Sequence, residues 1–554
     1  MTGKVRQVLI ATILMVVGIG TMWAAGGQEG AATDGVKLTA PGTLPIVEEM
    51  VTISAFVAQS SWISDLIDNE ATKELEKRTN VHLDLQVVLG EAAAEKKSLL
   101  LASGDYPEIF FSGGFSKEDQ LLYGMEQGIF QPINDLIDSQ GVNVKKVMAH
   151  YPELRGGLTA PDGNIYGLPH INECFHCTYS QKMWYNKQWL DDLGLAVPTT
   201  TEEFYQVLLA IKDNDVNGNG DPNDEIPLMG SIKSWRNNVY DFLMASFIYN
   251  DGSSYFDVVN DKLTFVPGEP EWRDGLRYMN KLYSGGLIYP ASFTQNREQA
   301  QTVGDNPGDT LFFAGTAGHI GMYMKIGNED PYRRHRQYDL LTPLKGPGGV
   351  QWSAIYRDFS QSLNFVITDK AKHPDVAFRI ADYMYSTEGT ALMELGPWGF
   401  MFVEAEPGEL GLTGEQAMFK DIRDQKGHAS VTNFNWGQQA TTVRTAEFRA
   451  SGAVPQEDPL SASGYELRLF RQTAEKMVPY APKQWFIRVF VDPDDVEEMA
   501  QMKTNIIDYI KQSAVQFIIG EMDIDSDWDS YIAQLKRLNV DKYVQLNQEA
   551  WDRK

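Results

Sequence analysis

The chain has 554 residues, of which 43% are apolar, 11% aromatic and 22% charged, a composition that supplies a buried core and excludes wholesale disorder. Lys plus Arg number 48 against 75 Asp plus Glu, leaving a formal charge of −27, which argues against nucleic acid or an anionic lipid surface as the main partner. Two cysteines are too few for a disulfide framework, so the fold must rest on its hydrophobic core.

Lys4 and Arg6 precede an apolar run from Val8 to Gly20, which gives way to small residues at Ala24, Ala25 and Gly26. Basic, apolar and small-residue regions in that order predict a secretory signal peptide over 1–26. The run is shorter than the about 20 residues that span a bilayer, and no stop-transfer charges follow it. Loss of Lys4 and Arg6 on cleavage would take the charge from −27 to −29. Neither Cys174 nor Cys177 is near the apolar run, so no lipobox is present and a soluble exported protein is expected. Residues 27–46 read as a flexible leader.

Val51 to Val57 reads as a strand, the apolar residues Ile63, Leu66, Ile67, Ala71 and Leu75 recur at helical spacing, and Val81, Leu83, Leu85 and Val87 alternate as a second strand. A helix over Ala92 to Ala102 ends near Gly104, and Pro107 to Phe111 supplies a short buried strand. Asn164 to Pro169 reads as a connecting strand. Thr200 and Glu203 form a capping box ahead of Phe204, Val207, Leu208 and Ile211 at i, i+3, i+4 and i+7. Leu363 to Thr368 reads as a strand, Pro374 opens a helix, and the chain ends in a helix lined by Trp528, Tyr531, Ile532, Leu535 and Leu538. Strands alternating with helices predict an α/β fold with mainly parallel sheets.

Three segments share an order and spacing: Ala102-Ser103-Gly104-Asp105-Tyr106-Pro107-Glu108-Ile109, Trp189 to Leu195 with Pro198-Thr199-Thr200, and Trp528-Asp529 through Ala550-Trp551-Asp552-Arg553. They resemble the large extracellular solute-binding proteins of ABC importers, especially the oligosaccharide- and alginate-binding group, and the likeness runs from about Val51 to Arg553. The resemblance implies a two-lobed, type II periplasmic-binding-protein-like fold whose lobes are linked by several chain crossings, with a ligand cleft that closes on binding. The expected division is lobe 1 over 47–168 and 306–370, and lobe 2 over 169–305 and 371–554. Many relatives from Gram-positive bacteria are lipoproteins; the missing lipid-bearing cysteine points to the periplasm of a diderm organism.

The stretch from Asp213 to Glu225 gathers carboxylate and amide oxygens around Gly218 and Gly220, as hard Ca²⁺ requires. Two registers are open. One starts at Asp213 and ends on Asp224. The other, favoured, resembles the calcium loop of the family and uses Asp215, Asn217, Asn219, the Asp221 carbonyl, Asp224 and Glu225; here the Asp224-Glu225 pair falls one residue later than in the commonest family spacing. The ion would be structural, pinning carboxylates that otherwise repel. Cys174-Phe175-His176-Cys177 suits a redox pair, half a zinc site or a local disulfide; zinc lacks a second ligand pair, and an oxidising compartment favours a Cys174–Cys177 disulfide.

Sugars present apolar faces ringed by hydroxyls, so aromatic platforms with a few placed polar groups hold them. Ligands in open α/β sheets sit beyond the carboxyl ends of strands, which selects Trp62, Ser112, Tyr323 and Arg357, with Trp235, Trp398 and Trp436 from Gly- or Asn-flanked loops. The expected function is capture of an oligosaccharide by a monomeric, non-enzymatic protein that delivers it to an ABC transporter permease. A secreted polysaccharide hydrolase and a sugar-sensing binding protein for a receptor are the alternatives. No Gly-x-Ser-x-Gly, Walker loop or Gly-x-Gly-x-x-Gly occurs.

Overall fold

The computed structural model describes residues 36–60, 63–327, 332–356, 362–422 and 433–553, and Lys37–Lys554 forms one compact unit. The predicted signal peptide and residues 27–35 of the leader lie outside the described residues; the rest of the expected flexible leader is instead bound to the fold, with Leu38 bridged to Val47 and Ile46 buried. Fourteen strands occur among those residues. They are β1 (Val51–Gln59), β2 (Val81–Leu89), β3 (Ile109–Phe110), β4 (Ile171–Asn172), β5 (Met183–Asn186), β6 (Ile226–Met229), β7 (Phe256–Val259), β8 (Lys262–Phe265), β9 (Phe312–Thr316), β10 (Tyr338–Leu341), β11 (Val366–Ile367), β12 (Phe402–Glu404), β13 (Phe419–Asp421) and β14 (Val443–Arg444).

Two four-stranded sheets carry the architecture, in the orders β11-β3-β1-β2 and β10-β5-β9-β6. In the first, β1 runs parallel to β2 and β3, and β11 closes the edge antiparallel. The second is mixed: β6 and β9 are parallel, but β5 pairs antiparallel with both β9 and β10. The expectation of mainly parallel pairing holds for the first sheet alone. β1 buries Ile53, Ala55, Phe56 and Val57 together, the near-continuous apolar run of a strand covered on both faces. Phe56, Phe110, Phe115 and Phe130 then pack ring to ring at 4.6–5.4 Å. In the second sheet Trp184 is fully buried and donates from Nε1 to the Ala317 carbonyl at 3.1 Å.

Local signals account for several helix ends. The Thr200–Glu203 capping box opens the helix Thr201–Lys212, and Gly104, at φ 76°, closes the helix Gly90–Ser103. The first helix begins later than the apolar spacing suggests, at Glu70, because the Asn69 side chain caps it by accepting from Ala71 N. The expected connecting strand at Asn164–Pro169 is an irregular segment with one isolated bridge, Leu168 to Phe365.

Strand pairing redraws the expected division. β9 and β10 lie within 306–370, yet both belong to the sheet of β5 and β6, so the chain stays in the second lobe until after Tyr356. The segment from β11 to β14 then returns to the first lobe rather than opening the second. There Arg379 donates to the Thr39 and Ala40 carbonyls, Asp382 accepts from Val142, Asn143 and Val144 N, and β14 pairs with β4. The helix Tyr465–Lys476 rejoins the second sheet, with Lys476 on Asp339 at 2.8 Å.

The lobes also meet away from the crossings. Glu118, beside the first sheet, faces Lys503 at 3.3 Å and Arg488 at 3.8 Å from the C-terminal region, and Lys117 Nζ lies 4.0 Å over the Phe490 ring. Burial opposes ionisation of Glu118, but Arg488 and Lys503 outweigh it and hold the carboxyl at about 2, below its ordinary 4.5. A lowered folded value stabilises above the unfolded one, so this contribution is present above pH 4.5 and is lost as the pH falls toward 2. Glu118→Gln is expected to melt below wild type at neutral pH, with the gap closing in acid over that range. Thermal unfolding against pH checks it, and a gap that does not narrow overturns the assignment.

Candidate functional site

At the carboxyl edge of the first sheet, β1 runs into Gln59-Ser60 and β3 into Phe111-Ser112. Ser112 takes a positive φ of 50° and donates to the Gln439 carbonyl at 3.1 Å, while Gln439 Nε2 donates to Ser60 Oγ at 2.5 Å. Phe115 and Leu168 bridge to Leu363 and Phe365, which sets this edge beside the chain crossings.

At the carboxyl edge of the second sheet, β6 opens into the loop Gly230–Asn238 and β9 into Ala317-Gly318-His319. Trp235 is 43% exposed and lies over Gly318, where an added Cβ would stand 2.0 Å from the indole; glycine is what permits that approach. The Trp235 and His319 rings are 6.2 Å apart. Burial drives His319 down to about 3, so it is neutral, with Nδ1 3.1 Å from Tyr465 Oη. Arg236, at φ 56°, places its guanidinium 3.3 Å over the Tyr356 ring. Gln181 Nε2 donates to Tyr356 Oη at 2.7 Å, and Tyr356 Oη donates to the Asp251 carbonyl. A cavity of about 200 Å³ opens beside this loop, lined by Ser234, Arg236, Asn238, Asp241 and Lys511 among others.

The expected ligand residues divide. Ser112 and Trp235 stand at strand ends beside the crossings, and Trp398 is 47% exposed in its Gly-flanked loop. Among the described residues, no hydrogen bond or ring contact joins any two of these three. Trp62 and Arg357 lie outside the described residues. Tyr323 and Trp436 are corrected to packing residues. Tyr323 is fully buried and donates to the Thr316 carbonyl at 2.7 Å. Trp436 is fully buried, donates from Nε1 to Thr72 Oγ1 at 2.7 Å and meets Phe111 edge to face at 5.4 Å. Position after a strand or beside asparagine is shared by core and ligand aromatics, so sequence could not separate them. Arg236, Asp241, Tyr356 and Lys511 were missed. Arg236 adjoins Trp235 and could have been found with it, whereas Lys511 arrives from a helix about 270 residues on, with no local signal.

The acidic loop folds onto itself. Asp215 accepts from Gly218 and Asn219 N at 2.9 and 3.1 Å and from Gly220 N at 2.9 Å, and Glu225 accepts from Val216 and Asn217 N at 2.9 and 3.3 Å. Gly218 and Gly220 turn the chain at φ 73° and 92°. The Asn217 and Asn219 amides donate to Asp224 at 2.9 and 2.7 Å. Asp213 instead ends the preceding helix as its C-cap. Among the described residues Glu225 Oε2 is buried with no partner, and burial, with Asp224 nearby, raises this carboxyl. An oxygen-rich donor set with one orphaned buried carboxylate oxygen fits a hard divalent cation. Cys174 and Cys177 are joined in a disulfide directly after β4.

The model for the family described as bacterial extracellular solute-binding protein matches residues 60–391. The fructooligosaccharide ABC transporter substrate-binding protein FusA of Streptococcus pneumoniae is 27% identical over 98% of this chain and 97% of its own length. Its structure with kestose superposes with a TM-score of 0.76 at 25% identity, covering 91% of this chain and 99% of that one. An EF-hand mutant of FusA in complex with fructo-nystose superposes equally well, at a TM-score of 0.76, 25% identity and the same 91% and 99% coverage. The alginate-binding protein AlgQ2, solved without calcium ion, shares the fold at a TM-score of 0.68 and 21% identity, over 91% of this chain and 98% of that one.

If Tyr323 and Trp436 pack rather than bind, removing them must lower stability. Tyr323→Phe is expected to cost about 1 kcal/mol through one lost buried hydrogen bond, and Trp436→Ala about 3–5 kcal/mol through the void it leaves. Denaturant unfolding measures both; costs near zero would return the two rings to the list of ligand contacts.

Proposed function

The chain belongs to the bacterial extracellular solute-binding protein family, and from that membership we propose that it captures an oligosaccharide between its two lobes and hands it to an ABC transporter permease. The observation that carries this reading is the end-to-end match, in sequence and in fold, to a fructooligosaccharide-binding protein. The site chemistry supports it. An exposed indole beside a polar cavity suits a sugar, whose ring faces are apolar and whose rim donates and accepts hydrogen bonds. Among the described residues Asp241 is the single carboxylate lining that cavity, whereas acid–base hydrolysis of a glycoside uses two; capture is therefore favoured over cleavage. Ligand that touches both lobes draws the open–closed equilibrium toward the closed form by its differential affinity.

The export signal over 1–26 takes the protein to its substrate, and no described helix is long and apolar enough to cross a membrane. In the acidic loop Asp215, Asn217, Asn219, Asp221, Asp224 and Glu225 hold Ca²⁺, which supplies charge neutralisation and no chemistry. A chelator such as EGTA is expected to lower the Tm of wild type and to leave an Asp215→Ala variant, already lower, unmoved. An unchanged wild-type Tm would remove the metal.

Ligand capture is tested by calorimetry and thermal shift of the mature protein with kestose, nystose, maltotriose and oligogalacturonates, with chromatography of the recovered sugar. Binding with intact recovery is the expected result, and Trp235→Ala should weaken it by about 1 kcal/mol or more, the scale of one aromatic contact. Recovery of shortened sugar would overturn capture in favour of hydrolysis.

A further inference from the structure

The loop that carries Trp235 also builds a cavity whose charged groups are gathered but only partly satisfied. Asp241, at the start of the short helix Val239–Met244, is 8% exposed and, among the described residues, accepts one hydrogen bond, from Asn250 Nδ2 at 3.2 Å. Its Oδ2 borders Gly252, where a Cβ would stand 2.7 Å away. Arg236 and Lys511 line the same cavity and act on Asp241 electrostatically, yet among the described residues no ion pair within 4.0 Å joins either to it. Among the described residues Arg236 Nε is buried without a partner, and its Nη1 makes one long contact, 3.5 Å, to the Asp251 carbonyl. Asp251 itself is not available, because its carboxylate accepts from Ser253, Ser254 and Tyr255 N and from Ser254 Oγ.

Arg236 Nε and the sparsely bonded Asp241 cost free energy as they stand, and together with Lys511, which is exposed on the same lining, they suit an occupant that satisfies them at once. An anion would meet the Asp241 charge, and a cation would meet two positive groups. A hydroxyl both donates and accepts, so a ring bearing adjacent hydroxyls can give to Asp241 while receiving from Arg236 and Lys511. The volume, about 200 Å³, falls below the ~300 Å³ at which drug-sized sites begin and therefore suits one sugar ring rather than a chain.

Building on the oligosaccharide reading above, we propose that this cavity is the subsite for a single neutral sugar unit, whose hydroxyls donate to Asp241 and accept from Arg236 and Lys511. The exposed face of Trp235, on the same loop, receives the next unit. Neutral hydroxyl-rich ends are thus selected over carboxylated ones, since a uronate at this position would set its charge against Asp241.

Calorimetry with kestose on wild type, Asp241→Asn and Lys511→Gln tests the proposal, with the ligand-free Tm of each variant as the check on folding. Each substitution is expected to raise Kd at least tenfold. Lys511→Gln keeps the test decisive should Asp241→Asn, at a buried position, fail to fold. Wild type binding kestose with both folded variants unchanged would overturn the subsite and leave the oligosaccharide reading intact. Wild type binding none of kestose, nystose and maltotriose would overturn that reading and the subsite with it. Displacement of kestose by inorganic phosphate or glucuronate would reassign the cavity to anions and overturn the neutral-sugar proposal.

Discussion

The backbone N–H of Tyr356 donates to the Thr178 carbonyl at 2.8 Å, and that bond ties together two of the segments by which the chain passes between its lobes. Part of the carboxyl edge of the second sheet is held by the same residue. The Tyr356 ring carries the Arg236 guanidinium, and its hydroxyl joins Gln181 to the Asp251 carbonyl. Asp251 in turn fixes residues 253–255 by accepting three backbone N–H groups, which holds Gly252 against Asp241. A network bonded at this many points is stiff, so the cavity is shaped before any ligand arrives, and less binding energy goes into ordering it.

The aromatic residues divide by what their polar atoms do. Trp184, Tyr323 and Trp436 each give their N–H or O–H to a fixed acceptor inside the protein, which is how a large amphipathic ring becomes tolerable in a core. Trp235 and Trp398 keep roughly half their surface in solvent. For Trp235 the exposure is imposed from beneath, since the ring rests on Gly318 and has no deeper place to go. An apolar face held at the surface by its own support is the arrangement a sugar ring can use.

Sequence patterning carried the local elements well where the physics is local. The Thr200–Glu203 box, Gly104 and the alternation of β2 all appear as read, because caps and strand faces depend on a few neighbouring residues. The family resemblance carried the two-lobed plan. What it could not supply was which lobe receives the middle of the chain. β9 and β10 join the second sheet by pairing with β5, more than a hundred residues earlier, and nothing within a short window distinguishes a strand that adds to one sheet from a strand that adds to the other. Asp241 shows the same limit at the site: as an acid in the first turn of a helix it looks like an ordinary dipole partner, and it becomes notable through Gly252, Arg236 and Lys511, which only the fold brings near.

The acidic surface and the mixed-charge cavity are compatible because they act over different distances. A net charge of −27 shapes the far field, which salt screens within about 8–10 Å. Inside the cavity, contacts at hydrogen-bond range decide what stays. The lobes also meet through Glu118 with Lys503 and Arg488. A contact between lobes that needs no ligand biases the equilibrium between their arrangements in the free protein, and a ligand then has to supply only the remaining difference. Affinity then depends on the groups that hold the ligand and also on this ion cluster between the lobes.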